Sequence, residues 1–202
     1  MVTDRDLCKH KSLEDVITDA IKAGACMVQL REKNLTTREF IEEGLMIKKL
    51  ITSYQIPLII NDRVDVALSI KADGVHIGQN DIPYSYARKI LGPNALIGLT
   101  VENVSQIKEA QNYDLTYLAF SSIFPTPTKT DTIHYWGLEG LKQGKSISRH
   151  PVVAIGGINL NNAKSVFNAG ADCIAVVSAI CSAPNPYQAT KNLVEICKNQ
   201  LI

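Results

Sequence analysis

Several short stretches of the chain place polar or charged residues where an apolar run stops. The first is "VQLREK", 28–33. Side chains alternate along an extended chain, so Gln29, Arg31 and Lys33 share one face and Leu30 and Glu32 take the other. Three donors side by side, one of them a guanidinium able to hold two oxygens at once, suit a phosphate or diphosphate. A strand end running into water would carry the same residues at little cost. "IINDR" (59–63) and "GVHIGQND" (74–81) then supply Asp62 and Asp81. Two carboxylates on neighbouring strand ends could hold Mg2+, which takes one or two carboxylates and completes its shell with phosphate oxygens and water. Either aspartate alone, like Asn61, equally suits the cap of a helix. His76 reads as a residue packed near a strand end rather than as a ligand.

Further along, "IGLTVEN" (97–103) puts the hydroxyl of Thr100 at the top of a strand, where threonine is at home in any case. "LAFSSIFPTPTKTD" (118–131) begins as a buried strand and becomes a stiff loop carrying Thr126, Thr128 and Lys129. Its prolines deny it both helix and sheet interior. "VVAIGGI" (152–158) and "IAVVSAI" (174–180) join Gly156 and Gly157 to Val177 and Ser178. Glycines let backbone N–H groups approach an anion, and a following helix N-terminus adds its dipole. Arg31, Lys33 and Lys129 with Mg2+ have the character of a diphosphate site, and the glycines with Ser178 that of a monophosphate site. Two small phosphorylated molecules facing each other point to a transfer in which diphosphate leaves.

These residues need a frame. Short β-rich runs fall at about 1–3, 26–30, 57–60, 73–77, 95–99, 115–120, 151–155 and 172–177. Most are continuous apolar runs, as parallel strands covered on both faces should be. Helical patterns alternate with them, from "SLEDVITDAIKAG" to "NPYQATKNLVEICKNQL". Eight strands alternating with eight helices predict a single-domain (β/α)8 TIM barrel over residues 1–202, with chemistry at the carboxyl ends of the strands. A doubly wound open sheet fits the alternation as well.

Composition narrows the partners. With 21 basic and 20 acidic residues the net charge is +1, and no basic patch offers itself to nucleic acid or a membrane surface. The longest apolar runs are too short to span a bilayer. The charged start "MVTDRDLCKHK" lacks the apolar core of a secretory signal. Five cysteines with no C-x-x-C pair argue against a disulfide framework or zinc site, so the expected home is the reducing cytoplasm. Small phosphorylated substrates are the expected partners, and a homo-oligomer is left open.

The chain also resembles a known family, the thiamine phosphate synthases (thiamine-phosphate pyrophosphorylases). "VTDRDL", "QLREK", "IINDRVDVAL", "ADGVHIGQND", "IGLTVEN", "FPTPTKTD", "VAIGGI" and "GADCIAVVSAI" carry the resemblance in order and nearly end to end. It implies a (β/α)8 barrel that joins 4-amino-2-methyl-5-pyrimidinylmethyl diphosphate to a thiazole phosphate, or its carboxylated precursor, giving thiamine monophosphate and diphosphate. By the resemblance, Gln29, Leu30, Arg31, Glu32, Lys33, Asn61, Thr100 and Lys129 bind the pyrimidine diphosphate. Asp62 and Asp81 bind Mg2+. Thr126, Pro127, Thr128, Gly157, Val177 and Ser178 bind the thiazole phosphate. Arg31, Lys33 and Lys129 are then the residues that act on the leaving group.

The chain departs from that pattern in places. It starts inside what should be strand one, and Ser121 and Cys173 stand where glycine is common. Thr100 replaces a serine but keeps the hydroxyl. Two other readings share the fold or the ligands: a thiazole tautomerase and a non-catalytic sensor of thiamine-type phosphates. An intact "PTPTK" loop with Lys129 argues against the first, which has no diphosphate to neutralise. The metal pair argues against the second.

Overall fold

The computed structural model describes residues 1–126 and 135–199. Seven strands form one parallel sheet in strict sequence order: β1 (Val28–Leu30), β2 (Leu58–Asn61), β3 (Gly74–Ile77), β4 (Leu96–Val101), β5 (Tyr117–Ser121), β6 (Val152–Ile155) and β7 (Cys173–Ala175). A doubly wound sheet reverses its strand order part-way, and this one does not, so that alternative falls. The architecture is α/β and TIM-like.

The expected eighth strand is corrected. Among the described residues, the stretch 1–3 contributes a single parallel bridge, Val2 to Gln29, instead of a strand. Thr3 donates its N–H to the Gln29 carbonyl at 2.9 Å, and Val2 donates to the Val176 carbonyl at 3.0 Å. The bonds of this stretch reach the backbone of β1 on one side and of Val176, just past β7, on the other, without forming a ladder with either.

Helices follow the strands, and their starts are written in capping residues. They are α1 (Leu13–Lys22), α2 (Thr37–Thr52), α3 (Val64–Ser69), α4 (Tyr84–Leu91), α5 (Val104–Ala110), α6 (Gly137–Ile147), α7 (Ala163–Asn168), α8 (Ser178–Cys181) and α9 (Pro186–Lys198). Ser12 accepts the Asp15 N–H, and Thr36 and Glu39 form a reciprocal capping box, satisfying donors that the first helical turn leaves open. Asn185 caps α9, with Pro186 where its missing N–H costs nothing. The short α8 departs from the alternation expected of the sequence; the apolar run "IAVVSAI" conceals a turn of helix after its strand. Leu13, Ile17, Phe40, Ile47, Ile60, Ile97, Leu118 and Val152 belong to one continuous apolar cluster beneath these elements.

One row of residues crosses the sheet from β2 to β5. Register aligns Asn61 with His76, His76 with Gly98, and Gly98 with Tyr117 on adjacent strands. A Cβ on Gly98 would lie 2.2 Å from the Tyr117 ring carbon Cζ, so the bare backbone there makes the room that the ring occupies. Gly98→Ala is expected to destabilise the fold by about 1–3 kcal/mol through overpacking, measured by urea unfolding.

Candidate active site

A cavity of about 740 Å³ is lined by the carboxyl ends of the strands and the loops after them. That volume is within the range of small-molecule sites. Gln29, Arg31 and Lys33 all reach it from one side, as the alternation along "VQLREK" requires. Leu30 and Glu32 do not line it: Leu30 is wholly buried in the apolar core, and Glu32 turns away toward Arg5. Asn61, Asp62, Asp81, Thr100 and Thr126 also line the cavity, as do Gly157, Val177 and Ser178 just past β6 and β7. Pro127, Thr128 and Lys129 lie outside the described residues.

The two aspartates do not cap helices. Arg63 occupies the N-cap position of α3 and makes no side-chain cap bond, and Pro83 precedes α4. Asp62 instead stands just past β2 with φ of 63°, in the left-handed region that few residues other than glycine adopt. Its N–H donates to the His76 carbonyl at 2.7 Å, and its Oδ2 accepts from Lys33 Nζ at 2.6 Å. Asp81 Oδ2 accepts the Gly78 N–H at 2.7 Å, which closes its own loop. Burial first, and then the neighbouring Asp62 carboxyl, push the Asp81 carboxyl above its ordinary value. Arg31 Nη1 lies 3.3 Å from Asp4 Oδ2.

Charge around the cavity is nearly self-cancelling. Among the described residues, the cationic side chains lining it are Arg31 and Lys33, against the carboxylates Asp62, Asp81 and Glu102. Lys33 already occupies one carboxylate. A polyanion entering this wall therefore meets too little positive charge from the described side chains alone.

Deeper in, His76 spans two strands. Its Nδ1 is 3.0 Å from the Tyr117 hydroxyl and its Nε2 is 2.8 Å from Thr100 Oγ1. The His76 and Tyr117 rings lie nearly parallel, with centroids 5.6 Å apart. Burial pushes the Tyr117 hydroxyl well above its ordinary range, while a hydrogen bond with Gln29 works against that shift. Thr100 is thereby tied into a polar chain that runs back to Gln29. The sequence alone presents His76 as packing and gives no reason to single out Tyr117, because nothing local says that a strand tyrosine and a strand histidine share a layer. The glycine between them in register is the available signal.

Just past β6, Gly156 and Gly157 have φ of 100° and 67°. A Cβ on Gly157 would lie 2.6 Å from the Pro125 carbonyl oxygen, and one on Gly156 2.5 Å from Ser122 Cβ. These glycines thus serve close packing against the segment that leads to Thr126, in addition to leaving backbone open to a ligand. Ser178 opens α8.

A family model described as thiamine monophosphate synthase matches residues 1–180. The chain belongs to the thiamine monophosphate synthase family. A thiamine-phosphate synthase of Leptospira biflexa is 53% identical over 194 residues, covering 94% of this chain and 92% of that protein. One from Albidiferax ferrireducens is 46% identical over 196 residues, covering 97% and 90%. The solved structure of a thiamine phosphate pyrophosphorylase from Pyrococcus furiosus superposes with a TM-score of 0.91 at 39% identity, covering all of this chain and 95% of that one. As a thiamine monophosphate synthase family member the chain is an enzyme, a transferase of thiamine biosynthesis.

The backbone at Asp62 gives a stability test within this family site. Asparagine tolerates the left-handed conformation and alanine does not, so Asp62→Ala should be less stable than Asp62→Asn by about 1 kcal/mol in urea unfolding.

Proposed function

We propose that the enzyme joins 4-amino-2-methyl-5-pyrimidinylmethyl diphosphate to a thiazole phosphate, or its carboxylated form, and releases diphosphate with thiamine monophosphate. The observation that carries this reading is the division of one cavity between a cationic, carboxylate-bearing wall at Arg31, Lys33, Asp62 and Asp81 and a glycine-and-hydroxyl wall at Gly157, Val177 and Ser178. Gln29, Asn61 and Thr100 lie on the first wall's side and would hold the pyrimidine. Leu30 and Glu32 would contribute only backbone. Thr126 on the second side, with Pro127 and Thr128 beyond the described residues, would meet the thiazole phosphate.

The chemistry asks for little proton transfer. The C–O bond to diphosphate breaks, leaving a methylene cation stabilised by the ring amino group, and the thiazole nitrogen attacks that carbon. Arg31, Lys33 and Lys129 would neutralise charge on the departing oxygens as it develops, where fixed charges in a water-poor site act most strongly. The cavity walls hold both reactants in line and keep water from the cation. Asp62 and Asp81 would hold Mg2+, which when bound supplies further neutralisation of the diphosphate. The donor set fits: two adjacent carboxylates already attract one cation, Lys33, and the described lining side chains alone carry too little positive charge for a polyanion. Residues 1–3 would complete the eighth position of a single-domain (β/α)8 barrel over 1–202, supported by the bonds of Thr3 to Gln29 in β1 and of Val2 to Val176 just past β7. No helix among the described residues is long and apolar enough to cross a membrane, and we place the enzyme in the cytoplasm.

Mixing the protein with both substrates and Mg2+ should release one diphosphate per thiamine monophosphate formed. Binding of the pyrimidine substrate without diphosphate release would sink the synthase reading and leave the tautomerase or sensor. In the same assay Asp62→Asn should raise the Mg2+ concentration for half-maximal rate by about tenfold or more, the scale expected for losing one charged ligand. An unchanged metal titration would remove Asp62 from the metal site.

A further inference from the structure

Outside the cavity, three charged side chains meet beneath the "VQLREK" segment. Arg5, in a single 3-10 turn (Arg5–Leu7), donates through Nη2 to Glu43 Oε1, and its Nε lies 3.6 Å from Glu32 Oε1. The carboxyls are sheltered, with Glu32 at 7% and Glu43 at 9% side-chain exposure, while Arg5 remains 43% exposed. Glu43 is on the buried face of α2, in line with Phe40, Gly44 and Ile47. Burial first, and then the Glu43 carboxyl beside it, push the Glu32 carboxyl up to about 7, with Arg5 opposing.

This arrangement is costly. Sheltered charges lose more hydration than one ion pair returns, and apolar residues of similar size often do as well or better for stability. Its position suggests what it does instead. Glu32 is flanked in the chain by Arg31 and Lys33, whose side chains enter the cavity from the opposite face of the same extended segment. The neighbours of Arg5 grip the same segment: Thr3 Oγ1 accepts the Arg31 N–H at 2.9 Å, and Asp4 pairs with the Arg31 guanidinium. Residues 3–5 therefore hold residues 31–32 at three points, and Arg5 links them through Glu43 to α2.

We propose that Arg5 and Glu43 are positioning residues that clamp Glu32 onto α2 and so fix the direction from which Arg31 and Lys33 meet the diphosphate group of the substrate. The inference rests on the synthase reading of Arg31 and Lys33. It assigns no contact with substrate to Arg5 or Glu43.

The test compares wild type, Arg5→Ala, Arg5→Lys and Glu43→Gln. Two quantities are read: steady-state KM for each substrate, and calorimetric Kd for inorganic diphosphate with Mg2+. Arg5→Ala should raise the pyrimidine diphosphate KM and the diphosphate Kd by about tenfold, a scale set by sub-ångström misplacement of two charges. The KM for the thiazole phosphate should stay within about twofold, since the Arg5 guanidinium bonds to Glu32 and Glu43 and not to Gly157, Val177 or Ser178. Arg5→Lys should recover much of the loss. If Arg5→Ala does not fold, Glu43→Gln, which keeps size and a hydrogen-bond acceptor, should show the same selective shift at smaller size. Equal rises in both KM values, or a lowered Tm with both KM values and the diphosphate Kd intact, would overturn the proposal and make the triad purely structural. A wild type that binds diphosphate yet turns over neither substrate would defeat the synthase reading instead, and the change in diphosphate Kd would still decide the role of Arg5.

Discussion

A parallel sheet buried along its strands admits full charges only where those strands end, and the polar side chains within it, such as His76 and Tyr117, are held by hydrogen bonds to one another. Every backbone donor and acceptor inside the sheet is spent on its neighbours, and the flanking helices exclude water, so a charge placed mid-strand would have nothing to solvate it. Strands β2, β3 and β5 are buried along their full length, and the carboxylates and cationic side chains Arg31, Lys33, Asp62 and Asp81 stand past the strand ends. The concentration of chemistry at one rim follows from this constraint.

Within the rim, order comes from interactions that each have a cost. Asp62 holds an unfavourable backbone angle, and its carboxylate is met by Lys33. Arg31 is held by Asp4 and its own backbone by Thr3. The His76–Tyr117 pair fills space that exists only because Gly98 lacks a side chain. Charges so arranged are already partnered before any ligand arrives. Ligand binding at this wall is an exchange of partners, and its strength is the difference between two sets of contacts.

Much of this is legible in the sequence, for identifiable reasons. Period-two alternation separates Gln29, Arg31 and Lys33 from Leu30 and Glu32, and the structure puts the first three at the cavity and the other two away from it. Continuous apolar runs mark strands correctly from the second expected position onward, while 1–3 yields only a bridge to Gln29, with Val2 bonding on its other side to Val176 just past β7. The capping alternative for Asp62 is open in sequence and is closed by the backbone, since α3 starts at Val64 with Arg63 before it. His76 with Tyr117, and Arg5 with Glu32 and Glu43, are hidden from sequence because the partners are 41, 27 and 38 residues apart and meet only through strand register and helix placement. The motif loop ending in Lys129 is the most specific signal of family, and its central residues stand outside what the structure describes.

The contact between the Gly156–Gly157 turn and the Ser122–Pro125 segment has a consequence for how such sequences change over time. Phe124 donates its N–H to the Gly156 carbonyl at 3.1 Å, and the missing Cβ atoms let the two segments touch backbone to backbone. A side chain gained at 157 must be matched by retreat at 124 and 125, so the two stretches are free to vary only together. A substitution at either glycine is therefore also a change in the room left for Ser122, Phe124 and Pro125, far earlier in the chain.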